Sequence, residues 1–450
     1  MDNKQATLDL GTRPVGQLLW QYALPGVVAM TASSLYNMVD SIFIGQGVGA
    51  LAISGLAITF PLMNIGGAFG AAVGVGAATL ISLRLGQREY AQAQRVLGNM
   101  VALNIIIGLV VGLLGLLFLD PILRFFGASD QTLPYARDYM TIILWGNVVT
   151  HLYLGLNSAL RSASKPRQAM TATIITVALN AVLDPIFIWP LGMGIKGAAY
   201  ATVIAQAVVL LWELWQFSHR DELLHLEWHT LPLSRTIVRG IVGIGISPFA
   251  MNLTACVVAI FTNHALLRYG GDLAVGAYGI CNRIGFVFFM VVMGICQGMQ
   301  PIAGYNYGAR NITRVKQVVR LAIMAGIAVM TVGWIVGEAL PTVCARLFTT
   351  DATLIAIAAR GMRINMAVFP IIGYQAVVTN FFQTIGKVRI SIFLSLSRQL
   401  LFLLPLMLIM SAAWGLDGVW WSLPASDLVA FVVAFVFMQR FKHQHADAQA

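Results

Sequence analysis

Apolar stretches of about 20 residues, the length of helix that crosses the hydrocarbon core of a bilayer, recur every 30 to 40 residues along this chain. In lipid, backbone N–H and C=O groups find no water, so such a segment has to satisfy them internally, as helix. A closed β-barrel is the other solution, but it alternates polar and apolar residues in segments of roughly ten, and that pattern is absent from this sequence. Composition agrees: 58% of the 450 residues are hydrophobic and 10% are charged, where a soluble domain carries roughly 25% charged residues. The chain reads as an all-α integral membrane protein.

The apolar runs predict helices over 16–44, 51–83, 98–119, 139–160, 170–189 and 197–217, then over 240–268, 273–305, 319–340, 363–385, 392–413 and 418–438, twelve in all. Positive residues stay on the cytoplasmic side of such spans. Alternate connections hold 19 Lys and Arg on one side and 7 on the other, which puts both termini in the cytoplasm of a cell that carries the chain in its inner membrane. The net charge of +10 is scattered in short clusters with no continuous basic face, so nucleic acid is not expected as a partner. The opening MDNKQATLDLGTRPV lacks the cationic-then-apolar order of a removable signal peptide.

The two halves repeat at a shift of about 222 residues. Pro25 matches Pro248, Leu51-Ala52 matches Leu273-Ala274, RLGQREYAQAQRVL at 84–97 matches NYGARNITRVKQVV at 306–319, and Lys165 and Arg167 match Lys387 and Arg389. Each repeat holds an even number of spans, so both enter the membrane from the same side and are related by an axis along its normal. The expected organisation is a lobe at 1–217, a cytoplasmic linker at 218–239 with an amphipathic helix, and a second lobe at 240–450 ending in a short basic tail. His219, His225 and His229 of the linker alternate with Arg, Asp and Glu, the pattern of a solvated connector rather than a metal site.

Polar side chains in a membrane helix need a reason of their own. An Asp at the bilayer centre costs about 2.5–3.5 kcal/mol and usually faces a cavity or a partner. LYNMVDSIFIG at 35–45 and LNAVLDPIFIWP at 179–190 each place an acid, Asp40 and Asp184, just before Ile-Phe-Ile. Tyr36 stands four residues before Asp40 and Asn180 four before Asp184, so each acid shares a helix face with a hydrogen-bonding neighbour. The second repeat has Asn263 opposite Asp40 and the apolar run around Leu404 and Pro405 opposite Asp184. A pair present in one repeat alone points to function over architecture. Two carboxyls in a low-dielectric cavity can share a proton; with Asn180 and Thr202 they could equally hold a sodium ion. Pro25 and Pro185 interrupt the same two helices and permit kinks.

The remaining embedded charges, Arg283, Arg398 and Asp427, lie in the second repeat, where Arg398 and Asp427 are expected to neutralise each other. His151, His264 and the four cysteines, spaced without CxxC, are expected to pack. No GxxxxGK[ST], HExxH or GxSxG motif is present, so neither ATP hydrolysis nor enzyme activity is expected and no resident cofactor is called for, bound sodium aside.

The proline-bearing first helix with LYNMVDSIFIGQGVGALAISGLAITFPL, the basic LGQREYAQAQRVLG, the turn LNSALRSASKPR and LNAVLDPIFIWPLGMGIKGAAYATVIAQ together resemble the multidrug and toxic compound extrusion (MATE) transporters, in their prokaryotic DinF-type branch. The resemblance spans essentially the whole chain. It implies two six-helix lobes around a central cleft and alternating-access efflux of organic, cationic drugs against entering protons or sodium. It carries the coupling residues onto Asp40, Asp184, Asn180 and Thr202, and adds Tyr139 and Asn157 to their polar network. Small organic cations and membrane lipids are the expected partners and a monomer the expected state. The alternative within the same superfamily is a lipid or polysaccharide flippase.

Overall fold

The computed structural model describes residues 3–48, 50–219, 222–348 and 351–445, so Arg220 of the linker and the last five residues of the tail lie outside it. Its described residues are helical wherever they are regular. Helices α1 (Asn3–Thr12), α2 (Val15–Gly47), α3 (Ala50–Gly86), α4 (Tyr90–Leu117) and α5 (Leu119–Phe125) are followed by α6 (Leu133–Trp145), α7 (Asn147–Ser162), α8 (Pro166–Ile188) and α9 (Ile195–Gln216). The second half gives α10 (Arg235–Gly271), α11 (Leu273–Gly308), α12 (Ile312–Ala339), α13 (Pro341–Arg346), α14 (Ala352–Met366), α15 (Phe369–Thr384), α16 (Val388–Trp414) and α17 (Leu416–Gln444).

Nine of these helices are individually long and apolar enough to cross a bilayer. Two bent pairs, α6 with α7 at 56° and α14 with α15 at 53°, each make one more span, and the 33-residue α2 completes twelve. The surface explains why water is the wrong solvent. Leu117 is 74% exposed and Leu408 and Ile409 are each 67% exposed, a cost in water of about 25 cal/mol per Å² of apolar surface that lipid removes.

The helices run further than hydropathy suggests. α4 begins at Tyr90 and α12 at Ile312, not at 98 and 319, because their first turns are polar yet still helix-forming. The bends at Gly146 and Val368 also lie inside runs that read as single spans. They fall 222 residues apart, so the break belongs to the repeated unit. Backbone strain repeats at the same shift: Arg88 (φ 60°) matches Arg310 (φ 58°), and Ser164 (φ 64°) matches Gly386 (φ 74°). A non-glycine residue at positive φ is uncommon, and finding an arginine there in both halves marks common descent of the turn.

By compactness the chain forms two units, one of residues 1–12 and 28–252, the other of residues 13–27 and 253–450. This division cuts inside the first helix of each repeat and so departs from lobes at 1–217 and 240–450. In unit 2 the start of α2 lies on α11 with no side chain between them: a Cβ on Gly26 would meet the Gly294 carbonyl at 2.6 Å, and one on Gly298 would collide with the backbone of Tyr22 and Ala23. Unit 1 repeats this seam, with Gly76 of α3 against the Ile241 carbonyl and Gly245 of α10 against Ala72. Small residues let membrane helices approach this closely.

Among its described residues the linker holds no amphipathic helix; between Glu222 and Ser234 there is one 3-10 turn, Trp228–Thr230. Its backbone is tied down instead by Asn99 of α4, whose amide donates to the Thr230 and Pro232 carbonyls while its oxygen accepts from the Ser234 N–H. His225 and His229 both bond Glu227, and His219 lies apart on the Trp215 carbonyl. In unit 2, Arg398 donates to Asp427 at 2.6 Å from a π-helical stretch, Ser397–Leu403, and Arg283 stacks over Phe348. Cys281, Cys296 and Cys344 are buried, whereas His264 is exposed, so it does not pack as expected.

The seam gives a direct test. Gly298→Val is expected to destabilise the purified protein by on the order of 2 kcal/mol, read as a lowered thermal midpoint in detergent. Gly67→Ala, where a Cβ meets nothing within 4 Å, is expected to leave the midpoint unchanged or slightly raised.

Candidate functional site

Three helices of unit 1 bring the candidate residues together. Tyr36 and Asp40 lie one turn apart on α2, Asn180 and Asp184 one turn apart on α8, and Thr202 lies on α9. The i, i+4 spacing that put each acid beside a polar neighbour in sequence therefore aims all four side chains inward. Burial is nearly complete: Asp184 is 0% exposed, Asn180 1% and Asp40 8%. The carboxyl groups of Asp40 and Asp184 stand within hydrogen-bond reach of each other. Two carboxyls can hydrogen-bond only with a proton on one of them.

Asn180 is the hub. With its nitrogen toward Asp184, it donates to Oδ2 at 2.6 Å, and its oxygen accepts from the Tyr36 hydroxyl at 3.0 Å and from the Thr202 backbone N–H at 3.0 Å. This orientation satisfies both ends of the amide, the criterion by which an amide is assigned. The Thr202 hydroxyl lies 2.9 Å from the same amide, 3.3 Å from the Tyr36 hydroxyl and 3.0 Å from the Ala198 carbonyl. Tyr139 of α6, 2% exposed, turns its hydroxyl to Thr202 and the two acids. Tyr36, Asp184 and Thr202 thus bond the amide hub, with Asp40 and Tyr139 beside them. One acceptor, Asp40 Oδ1, is buried without a hydrogen-bond partner among the described residues.

The prolines sit differently from the polar residues. Pro185 follows Asp184 within α8 and takes away one N–H of that helix. Pro25 lies inside α2, fifteen residues before Asp40 and within unit 2, and the helix continues through it.

Asn157 is not brought to this cluster. Its amide donates to Glu213 Oε1 at 3.3 Å and to the Ala169 carbonyl at 3.0 Å, and its oxygen accepts from Arg161. Glu213 lies eleven residues beyond Thr202 on α9, about 16 Å along the axis. Glu213 is 0% exposed and pairs electrostatically with Arg161. Sequence reasoning missed this second buried acid, although VVLLWELWQF displays a lone Glu in an apolar run; its closeness to the helix end disguised it. Between the two clusters, Thr150 of α7 donates to Gln206 of α9, one turn from Thr202. His151, fully buried, bonds the Gly66 carbonyl at 2.9 Å and is held there as a packing residue.

These features have close relatives. The chain is 28% identical over 424 residues to the multidrug export protein MepA of Staphylococcus haemolyticus strain JCSC1435, covering 93% of this chain and 92% of that protein. It is likewise 28% identical over 440 residues to MepA of Staphylococcus aureus strain NCTC 8325 / PS 47, covering 95% of each. Among solved structures it superposes on a ligand complex of the MATE multidrug transporter DinF-BH with a TM-score of 0.89 and 36% identity, over 96% of this chain and 97% of that one. A crystal structure of MATE in the bent conformation gives a TM-score of 0.93 over the whole of both chains at 24% identity, a likeness of fold. The MatE family model matches twice, at residues 25–186 and 248–409, in register with the internal repeat. The chain is a multi-pass membrane protein of the MATE family of multidrug efflux transporters.

Proposed function

We propose that this transporter works as an antiporter in which a small cation taken up at Asp40 and Asp184 alternates with an organic, cationic drug. The observation that carries the reading is the contact of the two carboxyls, from α2 and α8, in a buried pocket completed by Asn180, Thr202, Tyr36 and Tyr139. A carboxyl pair that holds one proton carries one negative charge; deprotonated, it carries two. An organic cation competes for that charge, so each ligand weakens the other, and the coupling is reciprocal by linkage. The MepA relatives are named as multidrug exporters, and the DinF-BH structure is that of a multidrug transporter with a ligand bound, which supports a drug as the larger partner.

The proton is the better fit to the contact between the carboxyls. Sodium is the competing cation, since Asp40, Asp184, Asn180 and Thr202 supply the hard oxygen donors it prefers. Exchange of one such ion for one singly charged drug is electroneutral, so the ion's concentration gradient drives it at about 1.4 kcal/mol per tenfold difference; a second ion per drug would add roughly 2.3 kcal/mol from a potential of about 100 mV, without ATP. Bending at Pro185, directly beside Asp184, gives the ion a way to alter the shape of α8 as it binds.

Asp40→Asn and Asp184→Asn are each expected to slow efflux of ethidium from cells by on the order of tenfold or more while leaving expression and thermal midpoint near wild type. Undiminished efflux in both variants would remove the acid pair from the mechanism. In liposomes of purified protein, an imposed pH gradient alone is expected to drive ethidium uptake. Transport that follows a sodium gradient alone would assign sodium in its place, and flux indifferent to both would sink the antiport reading.

A further inference from the structure

The turn between α3 and α4 and the first turn of α10, all within unit 1, enclose a cavity of about 870 Å³. It is separate from the acid pair and none of the transport chemistry uses it. Its floor is apolar, made by Leu80, Val96 and Ile237, and its rim carries the guanidinium groups of Arg84, Arg88 and Arg95. Glu89, paired with Arg84, is the acid on that rim. Three positive charges and one negative leave it at +2. Two long helices also begin there: Tyr90, Ala91 and Gln92 open α4, and Thr236 and Ile237 belong to the first turn of α10. Neither helix has an acid in its first turn, and the N-cap Glu89 of α4 makes no cap bond and turns its carboxylate to Arg84 instead, so the N–H groups that open both helices face the cavity.

The second repeat shows what a closed version looks like. At the shift of 222 residues, Glu89 becomes Asn311 and Gln92 becomes Arg314. Asn311 caps its helix by accepting the Arg314 N–H, and the Arg314 side chain crosses to the Asn306 oxygen at 3.1 Å and the Arg13 carbonyl at 2.6 Å. In unit 2 the protein's own cap and guanidinium occupy the junction. In unit 1 the cap is missing, Gln92 is shorter, and the strained Arg88, at φ 60°, holds a guanidinium on the rim.

We propose that this cavity binds the phosphate-bearing headgroup of an acidic membrane phospholipid. The chemistry is that of a phosphate group: several guanidinium donors and two helix N-termini on one anion. The apolar floor selects an amphiphile over a free anion. The site lies at helix ends, on the side that the distribution of Lys and Arg marks as cytoplasmic, where acidic lipids meet basic clusters. A bound headgroup would clamp the α3–α4 turn to the start of α10, across the seam in which Gly76 meets Ile241 and Gly245 meets Ala72.

The test counts lipids retained by delipidated full-length protein, by native mass spectrometry, after mixing with equal amounts of phosphatidylglycerol and phosphatidylcholine. The wild type is expected to retain phosphatidylglycerol preferentially. Arg88→Asn with Arg95→Gln is expected to lower that preference by on the order of thirtyfold, at about tenfold or less per arginine, with circular dichroism unchanged. Glu89→Asn with Gln92→Arg copies the closure of unit 2 into unit 1. It raises the positive charge, so attraction by charge alone would increase retention, whereas a shaped site that has been filled loses it. No preference in the wild type, or an unchanged preference in both variants, overturns the proposal. Displacement of the lipid by glycerol phosphate at equal concentration would make the ligand a soluble anion and overturn the assignment to lipid.

Discussion

The absence of water from the hydrocarbon layer governs this molecule. It forces every span to be helical, because a backbone group left unpaired there costs several kcal/mol, and it makes each embedded charge an exception that has to be matched. The exceptions are few and each has company. Asp40 and Asp184 face one another, with Asn180 on Asp184; Glu213 lies beside Asn157 and Arg161; Asp427 holds Arg398. The last two arrangements set a positive group near each acid, as an ion pair for Asp427 with Arg398 and through space for Glu213 with Arg161, and so offset its charge. The first brings like charges together and does not, and that imbalance is what makes it suited to exchanging cations.

The duplication supplies a comparison within one chain. Features that serve the scaffold occur twice: the bends at Gly146 and Val368, the left-handed arginines 88 and 310, and the glycine seams of α3 with α10 and of α11 with α2. The acid pair occurs once. Asn263 stands where the first repeat has Asp40, and in unit 2 the embedded acid Asp427 is already paired with Arg398.

Much of this is readable from residues alone, for a physical reason. Apolar runs of bilayer length, the i, i+4 pairs Tyr36–Asp40 and Asn180–Asp184, and the repeat are local patterns, and the structure brings those four side chains together. What is not readable depends on where helices lie against each other. Family resemblance sets Asn157 beside the acid pair, yet its partner across the α7–α9 contact is Glu213, with Arg161 one turn along α7. The bend between α6 and α7 leaves no break in hydropathy, since Trp145 and Val148 continue the apolar run on either side of Gly146. The linker is held by side chains distant in sequence, Asn99, Gln94 and Lys165, which no pattern within residues 218–239 announces.

The chain passes from one compact unit to the other at 12/13, 27/28 and 252/253, the last two within a continuous helix, two residues after Pro25 and four after Pro248. A helix resists twisting far more than a loop does, except where a proline has removed a rung of its hydrogen-bond ladder. The helical stretches after Pro25 and Pro248 are therefore where the backbone is softest to twist, whereas the polar connector at 222–234 is fastened to α4 and lies wholly within one unit.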